Sequence, residues 1–142
     1  MTYAQERIAE VWDEAWPLIL EHQRAVGRPV DVMPDRNTYH RLEQHGMVLY
    51  TLRRDGVLMG YATFMVGAFP QQPGIVQAIQ DALFIHPDAR GFGSGKFLLW
   101  VERQLRERGV QKLTWLMPAS TSWRWLEALG YEPDYTAFSR TL

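Results

Sequence analysis

Residues 88–97, DARGFGSGKF, set glycines at 91, 93 and 95 between Arg90 and Lys96. The run ALFIHP before them reads as the end of a strand. FLLWVERQLRERG after them reads as a helix, with Phe97, Val101 and Leu105 on one stripe and Gly109 closing it. Strand, glycine-rich loop and helix in that order bring backbone N–H groups and the positive end of a helix to an anion. A phosphate group is therefore the expected guest. A nucleotide-triphosphatase loop needs four residues between its first glycine and Gly-Lys-Ser/Thr. Here only three separate Gly91 from Gly95, and Phe97 stands where the hydroxyl should be. A dinucleotide fingerprint needs G-x-G-x-x-G and an acid ending the next strand, whereas this chain has G-x-G-x-G and a next strand ending in Leu116, Met117 and Pro118.

Asp81 is the single acid in the apolar run IVQAIQDALFI. Alternation predicts its side chain on the face of Ile79, Leu83 and Ile85. A carboxylate in such company is costly unless it is paired or used. Two roles stay open: a general base, or an aspartate accepting hydrogen bonds at a strand bulge or from a loop. His86, at the strand's end, is a second candidate base, predicted to point opposite to Asp81, with a surface role the simpler reading. His22, His40 and His45 are scattered without the carboxylate spacing of a metal site.

These residues need elements to hold them. AQERIAEVWDEAWPLILEHQRAVG has the three-and-four spacing of an amphipathic helix, kinked or split at Pro17, with Trp12 and Trp16 in the core. PDRNTYHRLEQHG predicts a second helix capped by Asp35 and ended by Gly46. MVLYTLRR and VLMGYATFMV predict a hairpin turning at Asp55-Gly56. IVQAIQDALFI is predicted as a strand covered on both faces, and VQKLTWLMP as another. TSWRWLEALG predicts a last helix and YEPDYTAFSRTL a last strand. The predicted order is α-α-β-β-β-α-β-α-β, a mixed α/β fold with one strand-helix-strand crossover. The 142 residues contain no repeat or linker, so one domain, 1–142, is expected.

Composition narrows the classes of function. Hydrophobic residues make up 46% and charged residues 22%, a globular balance, and a net charge of -1 gives no field toward nucleic acid or anionic membrane. With no cysteine there is no thiol nucleophile and no thiolate metal site. The start lacks an apolar signal core and the apolar stretches are too short to span a bilayer, so the sequence predicts a cytoplasmic protein without membrane or metal.

RGFGSG, residues 90–95, matches the (Arg/Gln)-x-x-Gly-x-(Gly/Ala) signature of the GCN5-related N-acetyltransferases, the GNAT superfamily. The Asp-Gly hairpin, the strand ending at Pro87, LEALGY at 126–131 and GVQK at 109–112 extend the resemblance along the chain, and it is closest to short phage and bacterial members. The resemblance implies acetyl-CoA as co-substrate and an amine as acceptor, with direct transfer in a ternary complex. It implies that Arg90, Gly91, Phe92, Gly93, Ser94, Gly95 and Lys96 hold the pyrophosphate. Leu83, Phe84 and Ile85 would hydrogen-bond the pantetheine arm through their backbone. Asp81 corresponds to the acid that often serves as base. Many relatives carry a general-acid tyrosine where this chain has Leu126, and an asparagine where it has PASTS. Ser120 and Ser122 are then the remaining candidates for acid or water positioning. The loss of that tyrosine keeps an alternative open, a non-catalytic acyl-CoA-binding or protein-interaction module. Relatives are often dimers, which leaves a homodimer as an option.

Overall fold

The computed structural model describes residues 1–28, 33–118 and 124–142. Its elements are β1 (Thr2–Glu6), α1 (Ile8–Ala25), α2 (Arg36–Gln44), β2 (Met47–Arg54), β3 (Val57–Phe69), β4 (Gln72–Ile85), α3 (Phe92–Glu107), β5 (Lys112–Thr114) and α4 (Arg124–Ala128). The strands form one sheet in the order β1-β2-β3-β4-β5. Neighbours are antiparallel except β4 and β5, which run parallel and are joined by the α3 crossover. The mixed α/β class and the crossover agree with the sequence reading.

Alternation along the strands sorts side chains into two layers. Tyr50, Leu52 and Phe64 pack with Phe97, Val101 and Leu105 of α3 on one face. Leu49, Tyr61 and Phe84 pack with Val11, Trp12 and Ile19 of α1 on the other, where Trp16 is partly buried. Each large side chain removed from water contributes about 1.5–3 kcal/mol, so both faces of the sheet are strongly determined. The sheet separates the two sides on which the candidate site residues lie.

Local chemistry sets several boundaries. Asp35 caps α2, its Oδ2 accepting from the Thr38 amide at 2.9 Å. Gly46, with φ +110, ends that helix where a Cβ would lie 2.6 Å from the Val66 carbonyl oxygen. Asp55 (φ 51) and Gly56 (φ 81) form the β2–β3 turn with both central residues left-handed. In these places the predicted turn chemistry is observed.

Three expectations are corrected. The first helix begins at Ile8, and residues before it form an edge strand, so the order opens on a strand. Pairing wins there: Tyr3 opposes Leu52, and its ring meets Phe97 and Trp100. Pro17 neither splits nor ends α1, which runs unbroken to Ala25. The last predicted strand is absent: residues 131–142 take no regular structure. β5 is only three residues long and offers a short edge to pair with. Tyr135 and Phe138 are consequently 83% and 93% exposed. Among the described residues no helix is long and apolar enough to cross a membrane.

Candidate active site

The glycine segment sits at the end of β4. After Ile85 a short turn over Pro87–Ala89 leads to Arg90, and Gly91 is the cap of α3. Gly91 has φ 107 and ψ -141, open to glycine but strained for other residues. The Ser94 hydroxyl accepts from the Gly91 amide at 3.1 Å and donates to its carbonyl at 2.7 Å. Gly93 and Gly95 lie within the helix. The three glycines therefore do not form one left-handed cradle. Gly93 is small for another reason: a Cβ there would come 2.7 Å from Met1 Sδ, and Tyr3 OH donates to its carbonyl at 3.0 Å. What faces outward is a helix N-terminus. The amides of Phe92 and Gly93 find no acceptor among the described residues, as is usual for a first turn.

Arg90 is held by its Nε–H, which donates to the Ile85 carbonyl at 2.9 Å. Lys96 Nζ lies 4.3 Å from the centre of the Phe92 ring, which is 82% exposed. Leu83, Phe84 and Ile85 pair with Ala62, Tyr61 and Gly60 of β3. On the other edge β4 pairs with β5 only over Gln77–Ile79. The buried Gln80 makes the last link across, its Oε1 accepting from the Leu116 amide at 3.0 Å. Beyond that point the β4 edge at 83–85 carries no neighbouring strand among the described residues.

Asp81 sits at a bulge. Thr63 opposes Ala82 and Phe64 opposes Gln80, which leaves residue 81 as the extra one on β4. The extra residue flips the alternation. Ala78, Leu83 and Ile85 belong to the α3 layer, Ala82 and Phe84 to the α1 layer. Asp81 thus shares the α1–α2 side with Ile79, the partner of Met65, and not with Leu83 or Ile85 as simple alternation predicts. Its Oδ2 accepts from Tyr39 OH of α2 at 2.6 Å and from Thr63 Oγ1 at 3.0 Å. The Thr63 oxygen in turn accepts from the Ala82 amide at 3.1 Å, which repairs the ladder at the bulge.

Nearby, His22 of α1 stacks on Phe84 with centroids 5.2 Å apart, and its Nδ1 lies 2.8 Å from Tyr61 OH. Burial, with Arg28 adding to it, holds the His22 imidazole below its ordinary pKa, against a smaller opposing pull from Asp81. Burial and then Asp81 push the Tyr39 phenol well up, so it stays a donor. Tyr61 is raised by burial, then by Tyr39 and Asp81. His86 also lies on this face and not the opposite one: its Nε2 is 3.6 Å from Glu21 of α1, and its Nδ1 accepts from the Asp88 amide at 3.2 Å. Tyr39, Thr63, Tyr61 and His22 escaped sequence reasoning because nothing in their spacing points to residue 81.

The chain matches the family model described as Acetyltransferase (GNAT) family over residues 6–131. It belongs to the GNAT acetyltransferases. No curated protein matches it by sequence. Solved structures share the fold at low identity. A ribosomal-protein-alanine N-acetyltransferase from Brucella melitensis biovar Abortus 2308 is 20% identical with a TM-score of 0.76, and 100% of both chains is covered. An acetyltransferase of Trypanosoma brucei is 16% identical with a TM-score of 0.74, covering 99% of each chain. An aminoglycoside acetyltransferase from an uncultured soil metagenomic sample is 13% identical, with a TM-score of 0.74 over 99% of this chain and 95% of the other.

As a GNAT enzyme the chain is an N-acetyltransferase by class. Leu126, at the position where many relatives carry a tyrosine, is buried, and Trp125 stacks edge-on against Trp115. Tyr131 donates to Glu102 Oε2 at 2.6 Å, and burial with that bond raises its phenol pKa. Ser120 and Ser122 lie outside the described residues. Clefts of about 270 and 500 Å³ open elsewhere, one between α3 and Tyr131 and one beside β1 and α2. Neither is lined by Asp81 or by the 91–96 segment. Among the described residues no group of three or more His, Asp or Glu is set to hold a metal.

Proposed function

We propose that residues 1–142 act as one acetyl-CoA-dependent catalytic domain that moves acetyl directly to a primary amine. The presentation of Asp81 carries this reading. It is an exposed carboxylate at a bulge on β4, held by two hydroxyls on one oxygen and facing the α1–α2 side. The end of α3 suits a diphosphate, with the Phe92 and Gly93 amides unpaired among the described residues and Arg90 and Lys96 beside them. The edge of β4 at Leu83–Ile85, beside which no strand lies among the described residues, suits an extended amide-bearing arm leading from that end toward Asp81, although the Ile85 carbonyl is already taken by Arg90.

In the reaction Asp81 takes a proton from the acceptor's ammonium, and the neutral nitrogen attacks the thioester carbonyl. With no cysteine in the chain, no acetyl-thiol intermediate on the enzyme is available, so transfer is direct. The leaving thiolate takes its proton from water, since Leu126 offers none. The acceptors named for similar structures, a ribosomal-protein alanine and an aminoglycoside, are the first two to try.

Asp81→Asn tests the reading. The amide oxygen can still accept from Tyr39 and Thr63, so the fold is kept while the base is lost. We expect kcat to fall by about 10²–10⁴-fold with acetyl-CoA affinity unchanged. Full activity in the variant would remove Asp81 from the mechanism. Buried Leu126 favours one other reading, a binding module that retains acetyl-CoA without turnover. That outcome would show as acetyl-CoA affinity with no thiol release from any amine.

A further inference from the structure

Two backbone bonds close the end of α1. The Gly27 amide, at φ 71, donates to the Arg24 carbonyl at 3.1 Å, and the Arg28 amide donates to the Gln23 carbonyl at 3.0 Å. Such a left-handed cap sets the residue after the glycine against the side chains one turn back, here His22 and Gln23. His22 is the residue that stacks on Phe84 and meets Tyr61, while Tyr39 holds Asp81. Arg28 and Asp81 thus border one surface, a guanidinium from the end of α1 and a carboxylate from β4. The charge of Arg28 is felt there. After burial it is the next cause lowering the His22 pKa, and it opposes the rise that burial and Asp81 impose on Tyr39.

Arg28 is exposed, and no described carboxylate forms an ion pair with it. Arg7, Arg36 and Arg53, by contrast, pair with Glu10, with Asp13 and with Glu6 and Glu14. Glu21, the last acid of α1, faces His86 at 3.6 Å. A planar guanidinium with no acid beside it fits a carboxylate through two parallel N–H bonds.

We propose that Arg28 selects the acceptor by taking the carboxylate of a molecule whose amine, some bonds away, is presented to Asp81. The inference rests on the transferase reading above and adds an anionic group to the acceptor. Arg28 is a specificity residue: it binds the far end of the molecule and moves no proton. A carboxamide of equal length offers it one oxygen and no charge.

The probes are β-alanine, γ-aminobutyrate and ε-aminocaproate, each paired with the carboxamide of its own length. Thiol release from acetyl-CoA is followed with the full chain. At the length that spans the two charges, kcat/KM for the acid should exceed that for its amide by about tenfold or more. The gain should lie in the acceptor's KM and not in kcat, because Arg28 stands apart from the reacting atoms. Arg28→Gln should bring the ratio to about one, and Arg28→Glu should turn the preference toward the diamine of the same length. Arg24→Gln, about 200° round α1 from His22, should leave the ratio as it is. The melting temperature and the KM for acetyl-CoA should hold in all three variants. A ratio near one in the unsubstituted protein, or one that survives Arg28→Gln, overturns the proposal while leaving the transferase reading intact. Turnover of no probe also overturns it, and a melt with acetyl-CoA then tells whether the underlying reading falls too.

Discussion

Tyr50 lies with 0% exposure against Phe64 and Trp100, and its hydroxyl has no partner among the described residues. A buried hydroxyl without a bond costs free energy that a phenyl ring does not. Tyr50→Phe should therefore leave stability unchanged or raise it by about 1 kcal/mol in a urea melt, and a clear loss would mean the hydroxyl is bonded. His22 makes a second case. Its folded pKa lies below the ordinary 6.5, so the stability it contributes is fully present above about pH 6.5 and is lost as pH falls through the folded value. His22→Phe keeps a ring against Phe84 and removes the titration. Its urea midpoint should fall less between pH 7.5 and pH 5 than that of the unsubstituted protein. Among single residues, Asp81 was legible because an acid inside an apolar strand must be explained. Tyr39 and Thr63 were not, because the fold alone brings α2 and β3 to it.

At the scale of elements the glycine segment separates into three different requirements. Gly91 holds a positive φ with open space around it, so substitution there strains backbone alone. Gly95 is helical with nothing within 4 Å of an added Cβ. Gly91→Ala should cost about 1–3 kcal/mol and Gly95→Ala should add about 0.5–1 kcal/mol, both read from melts without ligand. The same sign for both would contradict the separation. Sequence spacing marked the segment as a loop leading into a helix, whereas the helix already begins at Phe92, and it treated three glycines as equivalent. The difference lies in Met1 and Tyr3 of the N-terminal segment reaching Gly93 from some 90 residues away. Long-range packing of that kind also explains β1, whose residues continue a helical pattern but take an edge of the sheet. A strand bulge at Asp81 was one of the roles the sequence left open, but the inversion of faces it causes was hidden, since the period-two pattern assigned those faces.

Across the whole molecule, Arg53 ties the first strand and helix to the sheet. Its guanidinium bonds Glu6 at 3.0 Å, Glu14 at 2.7 Å and the Gly56 carbonyl at 2.8 Å. Burial alone would raise the Glu6 pKa, but Arg53 and Thr51 together outweigh it and lower it, while the Arg53 bond lowers Glu14. Both carboxyls are depressed below 4.5, so the stability they contribute is present above about pH 4.5 and lost as pH falls through the folded values. Arg53→Met should lower the melting temperature at pH 7 and make less difference near pH 3. A loss that is independent of pH would assign Arg53 a packing role. Mixed α/β class, crossover and hairpin were all legible in the sequence, because turn residues and hydrophobic period fix them locally. In the proposed reaction this sheet edge and helix end together take acetyl-CoA. A thermal melt with saturating acetyl-CoA, with NAD and ATP as controls, is the decisive measurement. Ligand at about one hundred times its Kd should add about 2.7 kcal/mol, on the order of 10 °C here, with acetyl-CoA alone. No shift with acetyl-CoA, or an equal shift with ATP, would mean that this edge and helix end do not form an acetyl-CoA site.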